Sequence, residues 1–509
     1  MRYDGGMNIP QEVKSILNKF RENNFEAFAV GGCVRDFLLS RRSLGEGGLG
    51  IKPKDWDVAT NAKPEEIQKI FPANFYENKF GTVTVKIENA SDETLAEVEV
   101  TTYRVDDRYS DKRHPDSVSF TTRLEEDLAR RDFTINAMAL LPKDGDYEII
   151  DPFGGQKDLE ARLIRAVGDP QSRFNEDALR MLRTVRFCVQ LCSVKQSFAK
   201  QCFSIEEKTA QAIKENAANL QFIAKERIRD EFVKIIMTEK AADGILMLHD
   251  LGLLEFIIPE FEKGFGVSQN KHHIYTIFEH GVFALKFAAQ KKYNLIVRLA
   301  ALLHDVAKPQ TKRGEGPDAT FYNHDMAGAR VAAQVLERLK FPREIIERIA
   351  NLVRNHMFVY DIGAVTEAGV RRLLGRVGPE NMKDLLELRM ADRMGSGVPK
   401  AQPYRLRHFQ YMVEKVQKDA ISVKMLKING EDIMKILEIP PGPKIGAILD
   451  VLLAEVIEDP QKNEKEYLKR RARELNEIDL SQLRQMARER IEEEKEEEDK
   501  IIKEKYWVK

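Results

Sequence analysis

No apolar run in the 509-residue chain approaches the roughly 20 residues that a membrane span needs. The opening stretch, MRYDGGMNIPQEVK, holds no apolar signal core, so a cytoplasmic protein is expected. Cysteine is scarce. Cys33, Cys188, Cys192 and Cys202 are too few and too irregular for a disulfide framework. Cys188 and Cys192 are spaced to share a helix face, where zinc could bind, but buried thiols are the expectation. An excess of one charge is missing as well. A net charge of −1 neither favours nor excludes a nucleic-acid partner, and any basic surface must be local. What remains, 43% hydrophobic and 32% charged residues, fits a globular protein long enough for about three or four domains.

The chain changes character along its length. PQEVKSILNKFRENN reads as an amphipathic helix and FEAFAV as a strand, broken by Gly31-Gly32 before the helix start VRDFLLSRR. After a glycine-rich insertion, SLGEGGLGIKPK, the stretches DWDVAT, GTVTVKIE and LAEVEVTTYR have strand character, and DPFGGQKDLEA turns into a helix. Beyond about residue 175 the pattern is almost wholly helical. These patterns predict an α+β chain: a head of mixed sheet and helices at 1–165, a helical neck and body at 166–263, a His-rich helical domain at 264–399, a helical segment at 400–480 and a charged helix at 481–509. The last, RERIEEEKEEEDKIIKEKYWVK, reads as a solvated or frayed helix.

The first constellation lies in the head. Asp55 and Asp57 flank Trp56, and on a strand residues i and i+2 point to one face, where two carboxylates converge on Mg²⁺. Alone such a pair is as readily surface charge. Upstream, AVGGCVRD joins strand to helix through Gly31 and Gly32, letting the backbone approach a triphosphate, with free amides at the helix start and a charge from Arg35. Downstream, EVEV puts Glu97 and Glu99 on one strand face. Either completes an acidic trio, and Glu99, adjoining VTTYR, is preferred. Arg130, Arg131 and Asp132 suit phosphate and ribose contacts.

NEDALRMLRTVRF sets Asp177, Arg180, Arg183 and Arg186 at steps of three on an expected helix. Such steps drift by about 60°, so all four cannot face one base. The first pair is expected at the base and the later arginines at phosphate or in structural roles. A carboxylate beside a guanidinium matches the amino donor and ring-nitrogen acceptor that adenine and cytosine share, and leaves guanine and uracil mismatched. The ordinary alternative is an i,i+3 surface ion pair.

GGCVRD…DWD, RRDFTINAMA, DPFGGQKDL and EDALRMLRTVRF, in this order, resemble the class II tRNA nucleotidyltransferase and bacterial poly(A) polymerase family of the polymerase-β superfamily, over about residues 25–240. The resemblance implies a polymerase-β-like nucleotidyltransferase head. It implies Mg²⁺ ligation by Asp55 and Asp57, triphosphate contacts from Gly32 and Arg35, and nucleotide binding by Arg131, Asp177, Arg180, Arg183 and Arg186. It further implies CTP and ATP as substrates and the tRNA 3′ end as partner, without a membrane. NKFGTVTV and the loop-like YRVDDRYSDKRHPDSV resemble the CCA-adding branch; A-adding or poly(A) activity stays open. The insertion at 41–54 and SVKQSFAKQCF depart from the family pattern.

The second constellation is histidine-rich. HHIYTIFEHGVFAL and RLAALLHDVAKP read as amphipathic helices with histidines at their polar edges. His280, His304-Asp305, His324, His356 and Asp392 follow the order H…HD…H…H…D. This order resembles the HD phosphohydrolase superfamily over about 270–395, which implies a divalent transition metal (Mn, Ni, Fe or Zn) that activates water against a phosphate ester. His272 and His273 are further candidates for substrate contact.

Overall fold

The structure is a computed structural model that describes residues 9–41, 53, 55–77, 81–88, 90–106, 117–143, 146–192, 202–270, 274–398, 400–418 and 426–508. Most of the insertion at 41–54, the loop 107–116, the segment 193–201 and His272 and His273 therefore lie outside the described residues. The chain divides into two compact units. One holds 1–354 with 387–398, the other 355–386 with 399–509.

The first unit opens with helix α1 (Gln11–Glu22), whose Val13, Ile16, Leu17 and Phe20 form a buried stripe at helical spacing. The mixed sheet follows: β1 (Ala27–Val30), β2 (Asp57–Thr60), β3 (Asn74–Glu77), β4 (Thr82–Lys86), β5 (Glu97–Thr102), β8 (Ala139–Lys143) and β9 (Asp146–Ile150), with β6 (Arg104–Asp106) and β7 (Val118–Phe120) as a separate hairpin. The seven strands lie in the order β3-β4-β5-β2-β1-β8-β9, and only β2 and β5 pair in parallel. β1 is buried throughout, as befits a four-residue apolar strand inside a sheet. On β4 and β5 the valines Val83, Val85, Val98 and Val100 alternate into the core, leaving Thr84, Lys86, Glu97 and Glu99 on the other face.

Helices α2 (Gly32–Arg41), α3 (Pro64–Ile70), α4 (Leu124–Ala129) and α5 (Gly155–Ala161) complete the head. DPFGG turns the chain into α5, with Asp151 accepting from the amides of Gly155 (2.7 Å) and Gln156 (2.9 Å). A side chain at Gly155 would strike the Thr134 carbonyl, so glycine is what lets α5 press against the turn that carries Asn136.

The helical neck comprises α6 (Pro170–Glu176), α7 (Leu179–Gln190), α8 (Glu207–Asn216), α9 (Lys225–Ile236), α10 (Ala241–Asp250) and α11 (Pro259–Glu262). Asp177 ends α6 in extended backbone, so NEDALRMLRTVRF is two helices rather than the single one expected. The cysteine expectation is also corrected. Cys33 and Cys188 are buried thiols, but Cys192 and Cys202 form a disulfide, which rules out a Cys188–Cys192 zinc pair.

The His-rich region contributes α12 (Ile277–Gln290), α13 (Leu295–Leu303), α14 (Lys308–Thr311), α15 (His324–Arg338) and α16 (Arg343–Asn355). Then come α17 (Glu367–Val377) and α18 (Met382–Gly395), whose second half belongs to the first unit. The remaining helices are α19 (Tyr404–Lys418), α20 (Gly430–Leu437), α21 (Pro443–Glu458), α22 (Lys465–Asn476) and α23 (Leu480–Tyr506). Ile433, Ile448, Leu452, Leu468, Leu475 and Leu483 form the core of the second unit. The end of α23 is not frayed. Ile502 and Val508 pack on Tyr411 of α19, and Glu414 accepts from Lys505 (2.7 Å) and Tyr506 (2.9 Å). Among the described residues no helix is long and apolar enough to cross a membrane.

Candidate functional site

Trp56 is buried and meets Phe37 edge-on at 6.4 Å, which turns the two flanking acids away from the core. Asp57 opens β2, whereas Asp55 stands in the bend before it, so the pair is a bend-and-strand arrangement rather than two positions on one strand. Glu99 is the register partner of Asp57 on β5. Burial pushes the Asp57 carboxyl up to about 6. Arg131 opposes that shift, while Glu99 and Asp55 add to it. Without a cation, this trio is electrostatically unfavourable.

A cavity of about 1080 Å³ opens beside the acids. Gly31 (φ +82°) and Gly32 close one end, where α2 begins. A Cβ at Gly31 would lie 2.7 Å from Arg131 Nη1, so only glycine admits that guanidinium. Arg35 donates to Asp36 (2.8 Å) and Asn136 (2.7 Å). Three guanidiniums, those of Arg35, Arg183 and Arg186, surround the Phe187 ring at 5.0, 5.5 and 4.5 Å.

Asp177, Arg180, Arg183 and Arg186 all line this cavity, and Asp177 lies outside the helical steps of three because it precedes α7. It caps α7 through the Leu179 amide (3.0 Å) and accepts from Arg227 Nη2 (3.0 Å). Arg180 donates to Glu176 (2.6 Å), the Arg173 carbonyl (3.2 Å) and the Arg130 carbonyl (3.1 Å). Asp177 and Arg180 are thus each held by other groups, not consumed in an ion pair with one another. Arg186 is buried and spent on Glu231 (3.1 Å).

Asp132 differs from the ribose-contact expectation. One oxygen takes both Nε (2.8 Å) and Nη2 (2.5 Å) of Arg183, and the other takes Asn136 and the Phe133 amide. Burial raises its pKa, but Arg183 and Asn136 outweigh that and bring it down to about 2. A carboxyl depressed on folding stabilises above its unfolded pKa near 3.8, and that stability is lost as pH falls through 3.8 towards 2. About 2 kcal/mol should therefore vanish between pH 5 and pH 2, measured by denaturant unfolding, and Asp132→Asn should abolish that increment. Arg227, Glu231 and Glu176 were missed in the sequence. Arg227 and Glu231 stand four apart on ERIRDEF, a spacing that could have exposed them as one face turned towards α7.

The second cluster forms where α12, α13 and α18 meet. A side chain at Gly281 would strike the Phe261 ring at 2.7 Å and the Leu302 carbonyl at 3.0 Å; one at Gly395 would strike the His280 carbonyl at 2.7 Å. These glycines set the helix spacing that gathers the side chains of the cluster. His280 Nε2 lies 2.9 Å from His304 Nε2, 3.2 Å from Asp305 Oδ2 and 3.2 Å from Asp392 Oδ1. His304 Nε2 lies 3.3 and 3.5 Å from the same oxygens. The Nδ1 atoms of His304 and His324 face the carbonyls of Ala301 (2.9 Å) and Phe321 (2.7 Å), which places the proton there and leaves the Nε2 lone pairs facing inward. His324 Nε2 lies 3.4 Å from Asp305 Oδ1. Lys308 (2.7 Å to Asp305) and Arg389 (2.6 Å to Asp392) balance the acids. Burial opposes ionisation of Asp305, but His304 and Lys308 hold it well below the usual range. His356, also buried, follows α16 in the second unit.

Metal bonds of about 2.0–2.2 Å put neighbouring ligand atoms about 2.8–3.6 Å apart. The distance between His280 and His304, and those from each histidine to Asp305 and Asp392, fall within that span.

A mixed sheet presenting paired acids beside a glycine turn, followed by arginine-lined helices, defines a nucleotidyltransferase of the polymerase-β type. Family profiles agree. "Poly A polymerase head domain" matches residues 27–165, "Probable RNA and SrmB- binding site of polymerase A" matches 202–265, and domain 2 of tRNA nucleotidyltransferases matches 320–472. An A-adding tRNA nucleotidyltransferase of Deinococcus radiodurans is 37% identical over 66% of this chain and 76% of its own. A CCA-adding enzyme of Enterococcus faecalis is 32% identical over 90% of this chain and 95% of its own. A crystal structure of the Bacillus stearothermophilus CCA-adding enzyme in complex with CTP superposes with TM-score 0.55 at 27% identity, covering 92% of this chain and 98% of that one. The chain belongs to the tRNA nucleotidyltransferase family.

Proposed function

We propose that the chain adds C, C and A in turn to the 3′ end of tRNA, in the cytoplasm, from CTP and ATP. The observation that carries this reading is the shared cavity: separately anchored Asp177 and Arg180 stand in the same space as Asp55 and Asp57. The acid trio, with Asp57 pushed up to about 6, fits a hard divalent cation. Mg²⁺ held by Asp55, Asp57 and Glu99 would activate the RNA hydroxyl and neutralise the departing pyrophosphate. The chain's own residues do the rest. The α2 amides and Arg35 receive the triphosphate. Arg183, steadied by Asp132, adds positive charge. Asp177 accepts from the amino group of the base and Arg180 donates to the ring nitrogen.

Full CCA addition is distinguished from its neighbours by product length. With tRNA lacking its terminal trinucleotide, CTP alone should give two additions and CTP with ATP three. An A-adding enzyme would extend only tRNA that already ends in CC, and a poly(A) polymerase would run on with ATP alone.

The histidine cluster supports a second activity in the region 264–399. His280, His304, Asp305 and Asp392, with His324 adjacent, fit Mn, Ni, Fe or Zn, which would supply activated water for phosphoester hydrolysis. Lys308 and Arg389 orient the two carboxylates. 2′,3′-cyclic phosphates, as on damaged RNA ends, and nucleotide phosphates suit such a centre. Elemental analysis of the chain purified without chelator should find a transition metal. His304→Ala should lose that metal and the hydrolysis of 2′,3′-cyclic AMP by more than about a hundredfold, with tRNA extension retained. An unchanged metal content would reject the cluster as its ligands.

A further inference from the structure

The register of the sheet draws a row of side chains outwards from the metal-binding acids. Asp57 faces Glu99 on β5, Glu99 faces Thr84 on β4, and Thr84 faces Phe75 on β3, the edge strand. Partners across paired strands share a face, so the four lie on one side of the sheet. Three strand spacings of about 4.8 Å place Phe75 about 14 Å from Asp57. A second cavity, of about 890 Å³, covers this row. Its walls include Asp55, Asp57, Glu99, Thr84, Phe75 and Lys86, so it meets the nucleotide cavity at the acids and leaves in another direction.

A single exposed aromatic is ordinary on a protein surface. Phe75, at 59% exposure, differs in standing at the far end of a groove that begins at the reacting centre. The groove's charge narrows its occupant. Glu93, Glu97 and Glu99 line it, and Lys86, the only lysine or arginine among the described residues that line it, pairs with Glu97 at 3.7 Å. Carboxylates repel the several charges of a triphosphate more strongly than the single charge of a phosphodiester, and they accept from ribose hydroxyls and exocyclic amines. The triphosphate belongs to the arginine-lined cavity, and the attacking hydroxyl must reach the acids by another path.

We propose that this groove seats the 3′-terminal nucleosides of the RNA substrate, with Phe75 stacking on a base behind the reacting hydroxyl. The proposal rests on the nucleotidyl-transfer reading. Stacking on an aromatic is sequence-tolerant, as a substrate end that changes with each addition requires.

The test uses the full-length chain, tRNA ending in CC, and ATP, with KM measured for each substrate. Phe75→Ala should raise the KM for tRNA about tenfold, within the range that base stacking supports, and leave the KM for ATP within about twofold. Thermal stability should hardly move, since the ring is exposed. Phe75→Trp should restore tRNA binding and Phe75→Leu should not. An unchanged tRNA KM in Phe75→Ala, or restoration by leucine, would overturn the stacking seat while leaving nucleotidyl transfer intact. So would a loss that follows dissociation of a dimer in sedimentation, which would assign the edge strand to a second copy. If the unsubstituted chain extends no tRNA, the functional reading fails and takes the seat with it.

Discussion

Replacing Asp177 with alanine should lower the preference for CTP and ATP over GTP and UTP by about a hundredfold, ~3 kcal/mol. Discrimination by hydrogen bonding works because the wrong base leaves buried polar groups unpaired, and in the proposed function Asp177 supplies one half of that pattern. Its position is set by three constraints: the end of α6, the cap on α7 and the Arg227 contact. Arg180 is fixed independently by Glu176 and two carbonyls, so it survives the substitution in place. Incorporation of each nucleotide into tRNA ending in C, at subsaturating concentration, reads the effect. Arg227 loses a partner but is 27% exposed and rehydrates, so the folded chain should persist. Unaltered selectivity and rate would remove Asp177 from base recognition.

Asp57→Asn should lower kcat for nucleotide addition at least about a thousandfold, ~4 kcal/mol, with KM for CTP within about threefold. The substitution keeps shape and removes charge. Because burial already pushes the Asp57 carboxyl up to about 6, neutralising it should leave the melting temperature unchanged or raised. Loss of activity with gain of stability separates a catalytic acid from a structural one, and a scanning-calorimetry trace beside the rate measurement decides it.

Much of the head was legible because its chemistry sits on short-range patterns. Gly31-Gly32 between strand and helix, the acids around a buried Trp56, and the alternation on β4 and β5 each follow from local spacing. Asp177 was misplaced because NEDALRMLRTVRF was read as one period. Yet an Asp two residues before the first apolar helical position is also a capping signal. The Cys192–Cys202 disulfide was missed because a count of four cysteines speaks to frameworks, not to a single local link ten residues apart. Arg227 and Asp132 acquire their roles from contacts fifty residues away, which no local pattern encodes. The charged end of α23 reads as solvated until α19 is known to receive Ile502, Tyr506 and Val508.

The central claim is that carboxylates at the mouth of β2 let an RNA terminus open a nucleoside triphosphate. The most direct measurement is incorporation of labelled CTP and ATP into tRNA lacking its terminal CCA, by the intact chain and by the Asp55→Asn, Asp57→Asn double variant. The account predicts three added nucleotides for the intact chain and none for the variant. Equal extension by both, or none by the intact chain, would contradict it.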